Sequence, residues 1–513
     1  MEYNYKIYTP EEYAISMVQI ALKKYLENNP KENILNIKII DISCGSGNLL
    51  LAMLEELLKA TKDILGEYVY SEKWITGFDV DSKALELLEK RAEALFFKYK
   101  ILGKLNLKNC DSLYENIDEK FDIVIGNPPY LGEKNHKEVF HTIKETNFGK
   151  KYYKPKMDYF YFFIEKGIDI LKSNGVLVYL TTNYWLKADS AEGLREKMKL
   201  EGEFFRIENY SHSIFKDAIG QHNIIFYWQK NKSNSLIAIN DDGFEYIMEQ
   251  ESFFTEEHNK IALIPPFCKN NIKKIREKSN TILGTLVNVN QGIVSGADKV
   301  YVFKEFKEEF KNYLKPFYKN RDIGKYEVTK NPPFWIMYLN SKTKLDSIVT
   351  EYLLDYKTKL SLRREVVNNR INWWELQWAR DEEIFIKPKI VVRQRCKTNN
   401  FAYTEKEFYG SADIYYLTAK KENINLFYIL GYLNSKVFYY WFNYIGKKKG
   451  KNLEFYSTPL KECPLYYPDN IEEINYIADL VKCQIGNYKE DIQIEIDNYF
   501  NKIMDIKNIS EEF

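Results

Sequence analysis

The first half of the chain alternates short apolar runs with longer stretches of helical period. Residues 37–42 form an apolar run that ends in a glycine-rich turn, and residues 49–59 follow with apolar positions three and four apart, as on one face of a helix. Residues 74–80 predict a second strand and 82–99 a second helix. Residues 121–126, Phe-Asp-Ile-Val-Ile-Gly, predict a buried strand, 159–171 an amphipathic helix and 175–181 another strand. Strands alternating with helices predict an α/β domain, a mostly parallel sheet covered on both faces. In such sheets ligands bind beyond the carboxyl ends of the strands.

The periodicity loosens between residues 231 and 259, which places a boundary within 245–270 and divides the chain into 1–250 and 251–513. A chain of 513 residues is long for a single core, so two domains are the expectation. The second half mixes short aromatic strands with helices, an α+β pattern, and ends in a polar stretch of helical period over 471–507. Charge follows the same division. Residues 1–250 carry 33 Lys and Arg against 38 Asp and Glu, and residues 251–513 carry 41 against 35. A basic half beside an acidic half is consistent with a nucleic-acid-reading module attached to an enzyme. The 41 tyrosines and 31 phenylalanines fit either an AT-rich coding bias or base-stacking surfaces.

No apolar run approaches the ~20 residues of a membrane span, and residues 1–10 lack a signal pattern. A bacterial cytoplasmic protein is expected. Cys44, Cys110, Cys268, Cys396, Cys463 and Cys483 are scattered without a CxxC pair, so reduced thiols are expected rather than disulfides or a zinc site.

Candidate chemistry lies at the strand ends. Asp41-Ile42-Ser43-Cys44-Gly45-Ser46-Gly47-Asn48 joins strand to helix, and its glycines let backbone approach a ligand. The spacing is neither GxGxxG nor a phosphate-binding P-loop. Gly77-Phe78-Asp79-Val80-Asp81 puts Asp79 at the next strand end, placed to accept from both hydroxyls of a ribose, and Asp81 before a helix it can cap. Cys110-Asp111-Ser112 follows a third strand-like stretch, where Asp111 can accept from an adenine amine. Each aspartate alone is commonly a cap or a solvated charge; their order and spacing set them apart.

Asn127-Pro128-Pro129-Tyr130 follows directly on the run 121–126. An exocyclic amine on an aromatic ring is a poor nucleophile because its lone pair is delocalised. The Asn127 side-chain oxygen and the Pro128 carbonyl, aimed at the two N–H bonds, would draw the nitrogen toward tetrahedral geometry and stabilise the positive charge that builds on alkylation. Pro128 and Pro129 stiffen that backbone, and Tyr130 offers a face on which an extruded base can stack. No metal and no strong base is required.

Tyr8-Thr9-Pro10, the Asp41–Asn48 turn, Asp79, Asp111 and Asn127–Tyr130, in this order, resemble the gamma class of amino-methyltransferases, the TaqI-like DNA adenine methyltransferases. The second half resembles their specificity domain through Gln291-Gly292-Ile293-Val294-Ser295-Gly296, Trp373-Trp374-Glu375-Leu376-Gln377-Trp378, Gly410-Ser411-Ala412-Asp413, Leu433-Asn434-Ser435 and Pro459-Leu460. Within the class these motifs are most similar to those of clostridial orphan adenine methyltransferases.

The resemblance implies a Rossmann-like domain dependent on S-adenosylmethionine (SAM), followed by a target-recognition domain. The implied activity is transfer of a methyl group to N6 of an adenine flipped out of double-stranded DNA, with S-adenosylhomocysteine as product and no metal. The implied cofactor residues are Tyr8, Thr9, Pro10, Asp41, Ser43, Cys44, Gly45, Gly47, Asp79, Val80, Asp111, Ser112, Asn127 and Phe163. Phe215 would join Tyr130 at the flipped base. Family members often carry another residue in place of Cys44.

For DNA, the basic groups Arg363-Arg364, Arg370, Lys387-Pro388-Lys389, Arg393-Gln394-Arg395 and Lys447-Lys448-Lys449 are the candidates. Arg393 and Arg395, alternate along a strand, are expected to share a face beside Gln394, whose amide can read adenine. Lys448 suits a phosphate. Trp373 and Trp374 suit either the core or a wedge into the gap left by a flipped base. A monomer without an obligatory protein partner suits an asymmetric site. Two further readings stay open: an RNA adenine methyltransferase, and a catalytically inactive DNA-binding protein.

Overall fold

The apolar runs become strands because both faces of the central sheet are covered. In the computed structural model, β1 (Ile39–Asp41), β2 (Ile75–Asp79), β3 (Asn106–Asn109), β4 (Phe121–Gly126) and β5 (Leu171–Thr182) are joined by parallel pairing. The structure describes residues 8–216, 221–233, 236–255 and 258–506; residues 1–7, part of the segment read for a signal pattern, and Lys507, the end of the stretch of helical period, lie outside them. β6 (Gly202–Tyr210) and β7 (Asn223–Lys230) follow, with β7 antiparallel to both β5 and β6. β8 (Ile237–Asp241) and β9 (Phe244–Met248) complete a nine-stranded sheet of order β3-β2-β1-β4-β5-β7-β6-β8-β9.

Side chains alternate strictly between the two faces. Ile39, Ile123, Ile125, Val176, Val178 and Leu180 enter one core, with helices α1 (Glu11–Asn28), α2 (Asn48–Leu65) and α3 (Ser82–Tyr99). Ile40, Val124, Leu177 and Tyr179 enter the other. On that second face, after α4 (Lys137–Lys144) and α5 (Asn147–Tyr152), lie α6 (Phe160–Ile170) and α7 (Glu192–Glu201). Asp81 caps α3 as expected, its carboxylate accepting the N–H groups of Lys83 and Ala84.

The chain divides into two compact units at Pro266 and Phe267. Met248, Phe253 and Ile261 are buried in the first unit's core, which carries that unit beyond residue 250. The second unit has a four-stranded sheet, in order Val287–Gln291, Ile414–Ala419, Lys389–Arg393 and Phe401–Thr404. Another four-stranded sheet contains Leu314–Tyr318 and Phe334–Met337, and a three-stranded one joins Arg395–Cys396, Asn452–Glu454 and Lys448–Lys449. The stretch of helical period at the end of the chain forms two helices, Ile471–Gln484 and Glu490–Ile503, separated at Gly486, whose φ is 75°. The whole is an α/β fold. Among the described residues no helix is long and apolar enough to cross a membrane.

Candidate active site and nucleic-acid interface

The strand order reverses at β1, whose neighbours are β2 on one side and β4 on the other. A crevice at the carboxyl ends of β1 and β4 is the expected ligand position in such a sheet. Asp41 ends β1 and Asn127 follows β4, so the two strongest motifs meet there. Their separation is set by Gly126: a Cβ at that position would lie 3.3 Å from Asp41 Oδ1 and 2.5 Å from the Tyr179 ring.

Backbone hydrogen bonds stitch the three turns together. Cys44 N–H donates to the Phe78 carbonyl at 3.0 Å, and Cys110 N–H to the Asp79 carbonyl at 3.0 Å. Asp79 accepts from Gly45 N–H at 2.7 Å and from Asp81 N–H at 2.8 Å. The Ser112 hydroxyl donates to the Ile42 carbonyl at 2.6 Å, which draws the turn after β3 onto the end of β1. Gly45 and Gly47 have φ of 51° and 83°, a region most side chains avoid. Val80 is exposed, and Cys44 is buried, its thiol pushed up by burial.

Three carboxyls line the ends of successive strands. Asp41 is 2 % exposed, and burial, assisted by the charge of Asp79, pushes its carboxyl up to about 8 against the stabilising Ser43 N–H. Burial also raises Asp79 and Asp111. Ionised carboxylates held out of water are costly unless cations or donors reach them. This row therefore suits a ligand that carries an ammonium group, a diol and an aromatic amine in sequence.

Thr9 is buried and its carbonyl accepts from the Asn48 side chain at 2.7 Å; Arg91 in turn donates to Asn48 Oδ1 at 2.8 Å and to the Ser46 carbonyl at 2.6 Å. The half-exposed Tyr8 ring lies over Gly45, and Pro10 precedes α1. Arg91 escaped the sequence reading because it sits mid-helix, outside any motif. Phe163 is buried in the cluster that contains Ile42 and Leu113, next to Ser43 and Ser112.

At the tetrad Pro128 is buried, while Asn127, Pro129 and Tyr130 are half-buried. The Tyr130 hydroxyl donates to Asn127 Oδ1 at 2.6 Å and also reaches the Leu180 carbonyl at 3.1 Å. The Tyr130 ring is 6.4 Å from that of Phe215, tilted by 53°, and 5.9 Å from that of Phe160. The fold thus brings Phe215 beside the tetrad from 85 positions later in the sequence. Asp158 is a further residue the sequence did not mark. It is 5 % exposed, accepts from Leu131 N–H at 3.0 Å, and takes the Tyr184 hydroxyl, fixing the backbone that leaves the tetrad.

In the second unit Arg393 and Arg395 do not share a face. The chain passes from one sheet to another at Gln394, whose N–H binds the Asp413 carbonyl and whose carbonyl takes Phe455 N–H. Arg393 is turned to the Ile323 carbonyl. Lys389, expected in a basic surface group, is fully buried, donates to the carbonyls of Lys387 and Lys406, and is pushed down to about 8 by burial. Arg363 binds the carbonyls of Trp373 and Glu375. Trp373 and Trp374 pack, half-buried, on this unit's core, with Lys357 5.4 Å from the Trp373 ring. By contrast, the three-stranded sheet gathers Arg395 with exposed Lys447, Lys448 and Lys449, and buried Glu454 holds Arg395 at 2.7 Å and Lys447 at 3.6 Å.

Residues 8–215 match the Eco57I restriction-modification methylase family, and residues 315–465 match the TaqI-like C-terminal specificity domain. Both matches are to domains of TaqI-like type II methyltransferases. The chain is 28 % identical to the type II methyltransferase M.HindII of Haemophilus influenzae, over 67 % of this chain and 74 % of that protein. The type II methyltransferase M.BanIII of Aneurinibacillus aneurinilyticus is 21 % identical over 97 % of this chain and 95 % of its own. In structure the chain resembles the Type IIL restriction-modification enzyme MmeI, solved in complex with DNA, with a TM-score of 0.70 at 12 % identity, over 98 % of this chain and 76 % of that one. Among the described residues no group of three or more His, Cys, Asp or Glu could hold a metal.

Proposed function

We propose that the chain is a site-specific DNA adenine-N6 methyltransferase that uses SAM. The observation that carries this reading is the juxtaposition of Asn127, at the end of β4, with the carboxyl row that starts at Asp41 on the adjoining β1. SAM, when bound, supplies a methyl group already activated on a sulfonium. The residues of the chain fit it: the Asp41 carboxyl, raised to about 8, would regain its charge beside the ammonium group, Asp79 would accept from the ribose and Asp111 from the adenine amine. Thr9, Gly45 and Gly47 shape the methionine end and Phe163 the adenine end.

On the substrate side, Asn127 Oδ1 and the Pro128 carbonyl accept the two N–H bonds of the target amine and stabilise the charge that develops on its nitrogen. Tyr130 stacks on the base and Phe215 closes its other side. Much of the acceleration in such a site comes from holding the amine in line with the methyl group. In the second unit the group Arg395, Lys447, Lys448 and Lys449 meets phosphates. Gln394, whose amide can pair with adenine, and Trp373, as a wedge at the gap of the flipped base, complete the reading of the duplex. The likeness of the second-half motifs to clostridial orphan enzymes supports an A-rich asymmetric site such as CAAAAA. Similarity to type II restriction and modification methyltransferases, and to a restriction-modification enzyme solved in complex with DNA, supports DNA as the substrate.

Single-molecule sequencing of genomic DNA from an unmethylated host that expresses the chain tests this reading. N6-methyladenine at one short motif is expected, and its disappearance in Asn127→Ala, with SAM affinity kept, assigns it to this site. Folded, SAM-binding protein that leaves DNA unmethylated rejects it.

A further inference from the structure

Beside the tetrad is a polar side chain that no motif marks. Asn223 begins β7, opposite Thr182 at the end of β5, and is fully buried. Its Oδ1 accepts Ile214 N–H at 3.2 Å, in the segment that carries Phe215. A backbone N–H can only donate, so this contact fixes which end of the amide is oxygen. Its NH2 group is consequently directed away from Ile214, and the fully buried Nδ2 makes no hydrogen bond of ordinary geometry. A buried unpaired donor carries a cost of about one hydrogen bond or more. The Tyr130 hydroxyl is close on two sides: it reaches the Leu180 carbonyl of β5, two residues before Asn223's partner Thr182, and its ring lies beside Phe215, next to Ile214. The Asn223 amide bears on it as a hydrogen-bonding group.

That hydroxyl has one proton and two acceptors, Asn127 Oδ1 at 2.6 Å and the Leu180 carbonyl of β5 at 3.1 Å. While it points at Asn127 it orients the amide oxygen that the target amine must reach. When an amine N–H takes that oxygen, the proton can turn to Leu180 without leaving a donor unpaired. We propose that Asn223 is a positioning residue for methyl transfer: its amide orients the Tyr130 hydroxyl, which holds the Asn127 oxygen in place and hands it over to the incoming amine. The same amide ties the Phe215 segment to the tetrad through Ile214. This rests on the function proposed above, and adds a role for the Tyr130 hydroxyl that ring stacking does not require.

Asn223→Asp keeps the acceptor for Ile214 and removes the donor; Tyr130→Phe keeps the ring and removes the hydroxyl. Each is expected to lower kcat about five- to tenfold, the worth of one net hydrogen bond, with KM for SAM within twofold of wild type. The double variant is expected to be no slower than the slower single one, because both act through one contact. Multiplying losses, or a fall in SAM affinity that matches the fall in kcat, overturns the proposal. The same cycle read in the denaturant midpoints of the free protein is independent of substrate: coupling between the two positions is expected, and strict additivity overturns the relay. Wild-type protein that transfers no methyl group to DNA rejects the proposed function, whereas the midpoint cycle still decides the relay.

Discussion

Asp41 sets stability against ligand binding, and the conflict can be measured. Its carboxyl is 2 % exposed and rises from 3.8 to about 8 on folding, chiefly through desolvation. The sign follows from proton counting. Between these values the folded protein holds a proton that the unfolded chain has released, so stability falls as pH rises from about 4 to about 8 and is level on either side. The slope is about 1.4 kcal/mol per pH unit, and the total is bounded by roughly 6 kcal/mol. Asp41→Asn is neutral throughout and keeps an oxygen for Ser43 N–H, now 2.9 Å away. Relative to wild type, the variant should therefore gain stability steadily from pH 4.5 to pH 8, while its affinity for SAM drops. Denaturant-dependent hydrogen exchange in the β4 peptide, corrected for intrinsic rates, reads the first unit alone, and titration calorimetry reads SAM. Parallel stability profiles for the two proteins would refute the buried-proton account. A variant that gains stability yet binds SAM normally would remove Asp41 from the ligand.

Asp79→Ala takes away the acceptor for Gly45 and Asp81 N–H and should weaken SAM binding by roughly 10- to 100-fold, the worth of hydrogen bonds to a charged group; unchanged affinity in calorimetry contradicts the ribose assignment. Gly47→Ala forces a side chain into φ 83° and puts its Cβ 2.1 Å from Leu88 Cδ1, so about 2–5 kcal/mol of stability should disappear in denaturant unfolding. A loss below 1 kcal/mol would mean that α2 and α3 separate more easily than their packing implies. Arg393→Ala should lower the second unit's stability by about 1.5–3 kcal/mol, through the Ile323 carbonyl it leaves, without changing the salt dependence of DNA binding. Lys448→Ala should do the reverse, lowering the slope of log affinity against log salt by about one; equal slopes for both variants would exclude Lys448 from the phosphates.

Those elements of the first unit that bury a full face were legible in the sequence. The strand 121–126 and the helix 82–99 have the bounds their patterns predict, because flanking glycine, proline and aspartate mark their ends. β1 is shorter than its apolar run, since Ile37 and Ile42 are buried outside the ladder. Helix α1 went unread although Ala14, Met17, Val18, Ala21, Leu22 and Tyr25 are spaced as on a buried face; two leading glutamates and a mean hydropathy near neutral conceal it. The antiparallel turn of β6 and β7 has no local signature. β7 lies between β5 and β6, an order that only long-range pairing decides.

The same division runs through the candidate site. Groups that work through backbone geometry, the Asp41–Asn48 turn and Asn127–Tyr130, must be contiguous and so appear as motifs. Groups that work through a single side chain reach the site from any distance. Arg91, Asp158 and Asn223 arrive from an inner helix turn, a helix entry and a strand start, positions where arginine, aspartate and asparagine are unremarkable. The basic surface shows the converse: Arg363, Lys389 and Arg393 look like phosphate ligands in sequence, yet their donors close on carbonyls of their own unit. A cation beside a chain reversal in an aromatic-rich domain has many buried carbonyls to satisfy. Charge in such a domain therefore predicts a phosphate contact only where the fold also leaves the side chain exposed, as it does at Lys447, Lys448 and Lys449.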